Sequence, residues 1–370
     1  MKYEGKMDKR KRILHANLNN QGGAFSVAYE AQKELQKEYI FDYYSPDDFI
    51  KNDVYEHLLE MGSKCIGKVS TNNRFFKQFK VYTEFYNYLC SNKYDIVHIH
   101  SDTAWKMSVY YLAAKKAKVK RIIVHSHSSG IAGHHRFINY ILHLIAKAVI
   151  KKAKYKCACS INAAKWMYST TKNVMIIHNG IDIEKYKFNE SKRKDIRGKN
   201  GLDGKIVIGS VSDYSYPKNP EFIYKLVKEF QDNKYAFLFV GDRKDECKLR
   251  TMIQKDRSIK NVTFVGTVTN VQDYLSAMDV FILPSRFEGL PMSALEAQVN
   301  GVYTLVSDKV TEDTKVSILF NRLKLDVDIW IDGIKALDLK YMRNKTGDYL
   351  EERVGSLNMA RIIKQLYVIK

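Results

Sequence analysis

Short apolar runs alternate with longer amphipathic stretches along the whole chain, the pattern of β-α units built around parallel sheets. Residues 12–16 read as a first strand, followed by the turn Asn20-Gln21-Gly22-Gly23 and a helix over about 24–36. Residues 94–100 and 121–125 read as further strands, with a helix over about 103–117 between them. A basic helix over about 137–152 leads into strands at 156–160 and 174–177, the last ending in His178-Asn179-Gly180-Ile181-Asp182. The charged stretch 184–204, rich in Lys, Asn and Gly, is the best candidate for a linker. Alternation then restarts, with strands at 206–211, 236–242, 262–266 and 280–284 and helices over about 220–231 and 271–277. The tail from 348 on reads as one or two helices.

A chain of 370 residues is long for a single core. The expected assembly is therefore α/β, with two Rossmann-like β/α/β domains facing a central cleft. Residues 1–182 form the first, 183–347 the second, and 348–370 a helical tail packing back on the first. Repeats at solenoid periods and low-complexity tracts are not apparent.

Charge changes this picture because it is uneven. Residues 1–180 hold 29 Lys and Arg against 14 Asp and Glu, while the rest hold 32 against 27. Between 101 and 180 the one acid is Asp102, against 14 basic residues. Such a field suits an anionic lipid surface, a phosphorylated substrate or nucleic acid, although a generally lysine-rich proteome would also give it. No aromatic-basic RNA module is present, so nucleic acid is not expected as a partner. The apolar helix around 137–152 with its lysine-rich end reads equally as a membrane-surface element or as a core helix. The five cysteines have no metal-like spacing, and Cys157 and Cys159 read as buried thiols, in keeping with a reducing cytoplasm. Neither a signal peptide nor a spanning helix is expected.

Candidate chemistry concentrates at 285–296, where Ser285-Arg286-Phe287-Glu288-Gly289-Leu290-Pro291 joins a strand end to a helix start. Pro291 suits the first helical position and Gly289 allows close backbone approach. Glu288 would sit in the loop and Glu296 about one turn into the helix. Carboxylates that accept hydrogen bonds from vicinal hydroxyls would then flank a helix N-terminus able to hold phosphate. Asp326 and Asp328 spell a metal-binding aspartate pair but lie far from these motifs, and they read as a solvated face. No metal or cofactor is expected. Ser126 and the histidines beside it point to opposite faces of an extended strand, which argues against a Ser-His nucleophile.

Glu288 and Glu296, with seven residues between them, resemble the retaining glycosyltransferases of the GT-B fold, family 4, particularly the bacterial capsular and exopolysaccharide branch. Asn20-Gln21-Gly22-Gly23-Ala24 is similar to that family's glycine-rich first loop, and Val124-His125-Ser126-His127 to the strand ending in its reaction-centre histidine. His178-Asn179-Gly180-Ile181-Asp182 is similar to the hinge motif, and Ser215-Tyr216-Pro217-Lys218-Asn219-Pro220 to the segment whose lysine holds the donor diphosphate. The resemblance implies that His127, Lys218 and Glu288 serve catalysis. It also implies that Gly22, Gly23, Asn179, Lys218, Glu288, Gly289, Leu290 and Glu296 bind substrate. Lys218 would neutralise the diphosphate, Glu288 hold sugar hydroxyls, Glu296 the ribose diol, and His127 face the anomeric carbon. His127 ranks above His125 because it lies nearer the strand's C-terminal end.

One position departs from the family. Where an arginine shares the diphosphate five residues before the lysine, this chain has Asp213, with Arg243 and Arg286 the nearest replacements by motif position. The expected function is transfer of a hexose or N-acetylhexosamine from a nucleoside-diphosphate sugar, UDP-linked, to an undecaprenyl-diphosphate-linked glycan. The setting would be the cytoplasm, with peripheral contact to an anionic membrane surface. The alternative is a non-catalytic GT-B partner or scaffold of a membrane glycosyltransferase complex.

Overall fold

The computed structural model describes residues 10–67, 74–131, 135–241, 247–339 and 349–369. Two compact units result, each an α/β layer structure around a parallel sheet. Among the described residues, the first unit holds those up to Gly180 and those from Met359 onward, and the second holds Ile181–Asn358.

The first sheet has seven strands: β1 (Lys11–Ala16), β2 (Tyr39–Ser45), β3 (Cys65–Gly67), β4 (Ile96–Ser101), β5 (Arg121–Ser126), β6 (Tyr155–Ala158) and β7 (Met175–Ile176). Their spatial order is β3-β2-β1-β4-β5-β6-β7. The order reverses between β1 and β4, the position where loops diverge and leave a crevice beyond the strand C-termini. In the second unit β8 (Ile206–Val211), β9 (Tyr235–Val240), β10 (Val262–Gly266), β11 (Val280–Leu283), β12 (Tyr303–Ser307) and β13 (Phe320–Leu323) take the order β10-β9-β8-β11-β12-β13. Here the reversal falls between β8 and β11. Strands such as β9, buried at every position, read as continuous apolar runs because helices cover both sheet faces.

Several expectations need correction. The stretch proposed as a linker forms helices Ile183–Tyr186 and Glu190–Lys199. The second is held by charge: Arg193 and Arg197, one turn apart, both donate to Asp279, which also accepts from the Val207 amide. The tail is divided. Helix Tyr349–Val354 belongs to the second unit, where Ile181 bridges Gly355, and the chain joins the first unit at Met359. There Arg121 donates to the Leu366 carbonyl and Lys364 pairs with Glu38. Asp326, read as part of a solvated face, caps helix Val327–Lys335 by accepting from the Asp328 and Ile329 amides. Pro291 takes the cap position rather than the first helical one.

Candidate functional site

In the second unit, the candidate groups gather where β8 and β11 diverge. After β8 the chain closes tightly. Tyr214 adopts a left-handed conformation, and its hydroxyl donates to the Ser210 and Val240 carbonyls. Gly241, at φ +94°, faces the Ser212 carbonyl, and a Cβ there would lie 2.7 Å from that oxygen, so only glycine fits. The 3-10 turn Tyr216–Lys218 follows and presents Lys218. It is stitched to the loop after β11 by the Arg286 amide, which donates to the Pro217 carbonyl at 2.7 Å.

That stitch brings two sequence-predicted residues together. Lys218 Nζ lies 2.6 Å from Glu288 Oε1, which also accepts from Ser285 Oγ at 2.7 Å. Ser285, which no motif singled out, is itself buried and anchored by Ser307 Oγ. Both members of the ion pair are mostly sheltered, so each meets the other's charge with little water between. Gly289 and Leu290 are buried just beyond. Helix Met292–Val299 starts there with no side-chain cap, and its N-terminal amides face this loop end. Glu296 lies just past the first turn, half-buried.

The departure at Asp213 also has a local account. Asp213 is exposed, and its carboxylate accepts from the Ser215 amide and hydroxyl, closing a short turn. Of the two replacements considered, Arg243 lies outside the described residues. Arg286 stacks over the Tyr216 ring, donates to the Tyr216 carbonyl and pairs with Glu221 at 2.9 Å. It braces the Lys218 turn from behind.

The first unit's candidates sit beyond β1 and β5. Asn20 fixes the loop after β1 by exchanging hydrogen bonds with the Ile50 backbone. Gly22, at φ +78°, and Gly23 are exposed and open helix Gly22–Leu35. Asn179 is buried just before the units change over. His127 follows β5, its amide donating to the Ser101 carbonyl, and its ring is only partly covered.

His127 is not alone. His15 on β1, His98 and His100 on β4, and His125 on β5 lie on the same sheet face with it, because residues two apart on a strand point the same way. Centroids of His98 and His100 are 4.3 Å apart, and those of His125 and His127 are 4.1 Å apart. His15 Nδ1 meets His100 Nε2 at 2.8 Å, and His100 Nδ1 meets His127 Nε2 at 2.8 Å. A second thread runs from the Tyr367 hydroxyl to His98 and on to His125, each step 3.2 Å. Burial pushes all five rings below the ordinary imidazole range, His15 and His127 to about 3, so they are neutral. The His-x-His spacing on two strands was the sequence signal for this cluster, but only its β5 half was read. His125 is fully buried, yet its Nε2 finds no partner among the described residues.

Three overlapping sets here come within metal-binding range of one another: His15, His98 and His100; His98, His125 and Cys157; and His100, His125 and His127. Two nitrogens on one tetrahedral zinc at ~2.05 Å would stand roughly 3.3 Å apart. The 2.8 Å contacts of His100 are closer, and they have hydrogen-bond length. Burial holds the Cys157 thiol well above its usual range, in its protonated form.

Comparisons with known proteins cover both units. Residues 21–185 match the family described as Glycosyltransferase Family 4, and 192–314 match Glycosyl transferases group 1. The chain is 26% identical over 316 residues to the UDP-Gal:α-D-GlcNAc-diphosphoundecaprenol α-1,3-galactosyltransferase of Escherichia coli, covering 80% of this chain and 81% of that one. It is 24% identical over 376 residues to the capsular polysaccharide biosynthesis glycosyltransferase CapH of Staphylococcus aureus, covering 97% and 99%. Among solved structures, Anabaena HepE with UDP and glucose superposes with a TM-score of 0.75 at 16% identity, over 97% of this chain and 100% of that one.

Proposed function

We propose that this chain, which belongs to the group 1, family 4 glycosyltransferases of GT-B fold, is a retaining hexosyl- or N-acetylhexosaminyltransferase. Its donor would be a UDP-sugar and its acceptor an undecaprenyl-diphosphate-linked oligosaccharide in capsular or exopolysaccharide synthesis. The carrying observation is the Lys218–Glu288 pair beside the uncapped start of helix Met292–Val299. The name of the Escherichia coli relative, which specifies a UDP-galactose donor and a diphosphoundecaprenol acceptor, supports the donor and acceptor classes.

In this reading, Lys218 and the helix amides meet the diphosphate of the donor, whose negative charge grows as the glycosidic bond breaks. Until then Glu288 holds the ammonium in place. When the diphosphate takes Lys218, Ser285 remains to orient the Glu288 carboxylate toward sugar hydroxyls. Glu296 receives the ribose diol, the amides of Gly289 and Leu290 contact the donor, and Gly22, Gly23 and Asn179 shape the substrate-binding surface of the first unit. His127 hydrogen-bonds the donor sugar near the anomeric carbon. Charge compensation by lysine and helix leaves no step that calls on a metal.

The acceptor side rests on helix Arg136–Ile150. His143 and Ile150 anchor it: His143 stacks on Trp166 and accepts from the Ala104 amide. Phe137, Ile138, Ile141, Leu144 and Ile145 are exposed, with Lys147, Lys151 and Lys152 following. An apolar face with a basic border suits the cytoplasmic face of an anionic bilayer. Among the described residues no helix is long and apolar enough to cross one.

Calorimetric titration with UDP, followed by a hydrolysis screen over UDP-, GDP- and ADP-sugars, tests the donor. Binding and turnover of a UDP-sugar are expected. No binding at millimolar UDP by folded protein would favour the non-catalytic scaffold, the reading to which Asp213 lends weight. Flotation with anionic and neutral liposomes tests the helix, and binding indifferent to anionic lipid would remove the electrostatic part.

A further inference from the structure

The thread His15–His100–His127 is a chain of neutral imidazoles in which every nitrogen contact needs one donor and one acceptor. Both nitrogens of His100 are used, one toward each neighbour. At the inner end His15 Nε2 is buried without a partner among the described residues, its ring stacked on Phe41 and Tyr43. At the outer end His127 Nδ1 has no partner among the described residues, while its ring keeps partial solvent contact. The tautomers are therefore coupled, and two assignments exist. One leaves an N–H stranded at His15 Nε2; the other leaves a lone pair there. A buried donor without an acceptor is the rarer and costlier of the two.

The geometry points to His15 and His100 as positioning residues that lock His127 in its Nδ1–H tautomer, so that it offers the substrate a fixed hydrogen-bond donor. His15 Nδ1–H donates to His100 Nε2, and His100 Nδ1–H donates to His127 Nε2. His127 Nδ1–H is left facing outward for an oxygen lone pair of the bound sugar. A free histidine divides between tautomers and orientations; this one arrives with both already set, which lowers the ordering needed when substrate binds. The inference deepens the proposed role of His127 and depends on it for the identity of the oxygen, but the tautomer itself does not.

The direct test is ring-nitrogen NMR of the full chain, labelled in histidine, at neutral pH without substrate. His127 is expected to carry its proton on Nδ1 and a lone pair on Nε2. Protonation on Nε2, or an even mixture, overturns the proposal, and this wild-type measurement needs no variant to fold. His100→Phe keeps the ring and its stacking but removes the donor. His127 should then become mixed in tautomer, with kcat about ten-fold lower and donor KM little changed. His100→Asn places an amide nitrogen near the lost Nδ1 and should restore most of both signals. An unchanged His127 tautomer in His100→Phe overturns the proposal. Should the wild-type tautomer be as stated while no sugar nucleotide is turned over, the thread stands and only the transfer reading fails.

Discussion

In the first unit the chain beyond the switch point surrounds neutral imidazoles, whereas in the second it surrounds a lysine–glutamate pair. Composition sharpens the contrast. All ten histidines lie within residues 1–180, and residues 181–370 contain none. The first unit is strongly basic overall, yet its candidate site carries no charge. The second is nearly balanced, yet its candidate site is built around an ion pair. The same topological position can therefore act by orientation in one half and by electrostatics in the other. A leaving diphosphate needs countercharge, while a sugar ring needs directed hydrogen bonds.

Acid should expose the difference most strongly. The five stacked histidines and His143, which burial pushes down to about 4, stay neutral in the folded protein. Once unfolded they take up protons near pH 6.5, so the unfolded state binds more protons and stability falls as pH drops through that value. Five of these rings, His15, His98, His100, His125 and His143, are essentially inaccessible. Because an unfolded imidazole is already half protonated at pH 6.5, each should cost about 1 kcal/mol between pH 6.5 and 5.5, and the five together roughly 5 kcal/mol. The second unit's shifted carboxylates lie elsewhere. Burial raises Glu221, but hydrogen bonds from Lys248 and Arg286 outweigh it and hold it near 2, and hydrogen bonds from Ser258 and Tyr224 lower Asp256 to about 2. Their contribution persists above the ordinary carboxylate range and is lost only as pH falls toward 2. Hydrogen exchange read by mass spectrometry at pH 7.5 and 5.5 should show the first unit losing protection first. Equal loss in both units, or none, would break the comparison.

How much of this was legible follows the same division. Strands β8 and β10 and helix Val271–Ala277 agree with the pattern because apolar runs between turn residues define them. Strand β2 was passed over because Tyr39-Ile40-Phe41-Asp42-Tyr43-Tyr44-Ser45 mixes tyrosines with an aspartate that Arg12 neutralises from the neighbouring strand. The second-unit candidates lie in two short motifs, 215–220 and 285–296, so local spacing carries each, while pairing Lys218 with Glu288 and bringing in Ser285 needed the fold. The histidine thread draws on β1, β4 and the end of β5, its first contact alone spans 85 residues, and no local period joins His15 to His100. Helix Glu190–Lys199 was misread as a linker because its arginines look solvated until Asp279 is folded against them.

Removing charge from the second site is the next largest test. Lys218→Ala should lower turnover by about 10²- to 10³-fold, the scale of a lost transition-state contact to developing negative charge. Affinity for UDP should weaken less. In the uncomplexed variant Glu288 keeps its bond from Ser285, so the melting temperature should move by only a few degrees. Lys218→Arg keeps the charge but replaces a compact ammonium with a planar fork, and should recover part of the rate. Turnover of Lys218→Ala equal to wild type would remove the leaving-group role and leave the second unit without its electrostatic character.

The smallest expected effect separates the two glutamates. Glu288 is held by Lys218 and Ser285 where charge is exchanged, while Glu296 lies along helix Met292–Val299. If Glu296 accepts hydrogen bonds from a ribose diol, those bonds are present equally in ground and transition states, so their loss acts on binding alone. Glu296→Ala should raise the donor KM and the UDP dissociation constant by about ten-fold, equivalent to one or two charge-assisted hydrogen bonds, with kcat little changed. Glu288→Gln keeps the shape but removes the charge opposing Lys218, and should lower kcat more than it changes KM. A UDP sugar-nucleotide series makes the distinction sharper, because a 2′-deoxyribose donor lacks one of the two hydroxyls and should lose less affinity than the ribose donor on Glu296→Ala. If the deoxy donor loses as much affinity as the ribose donor, Glu296 does not read the diol, and the helix start alone recognises the nucleotide.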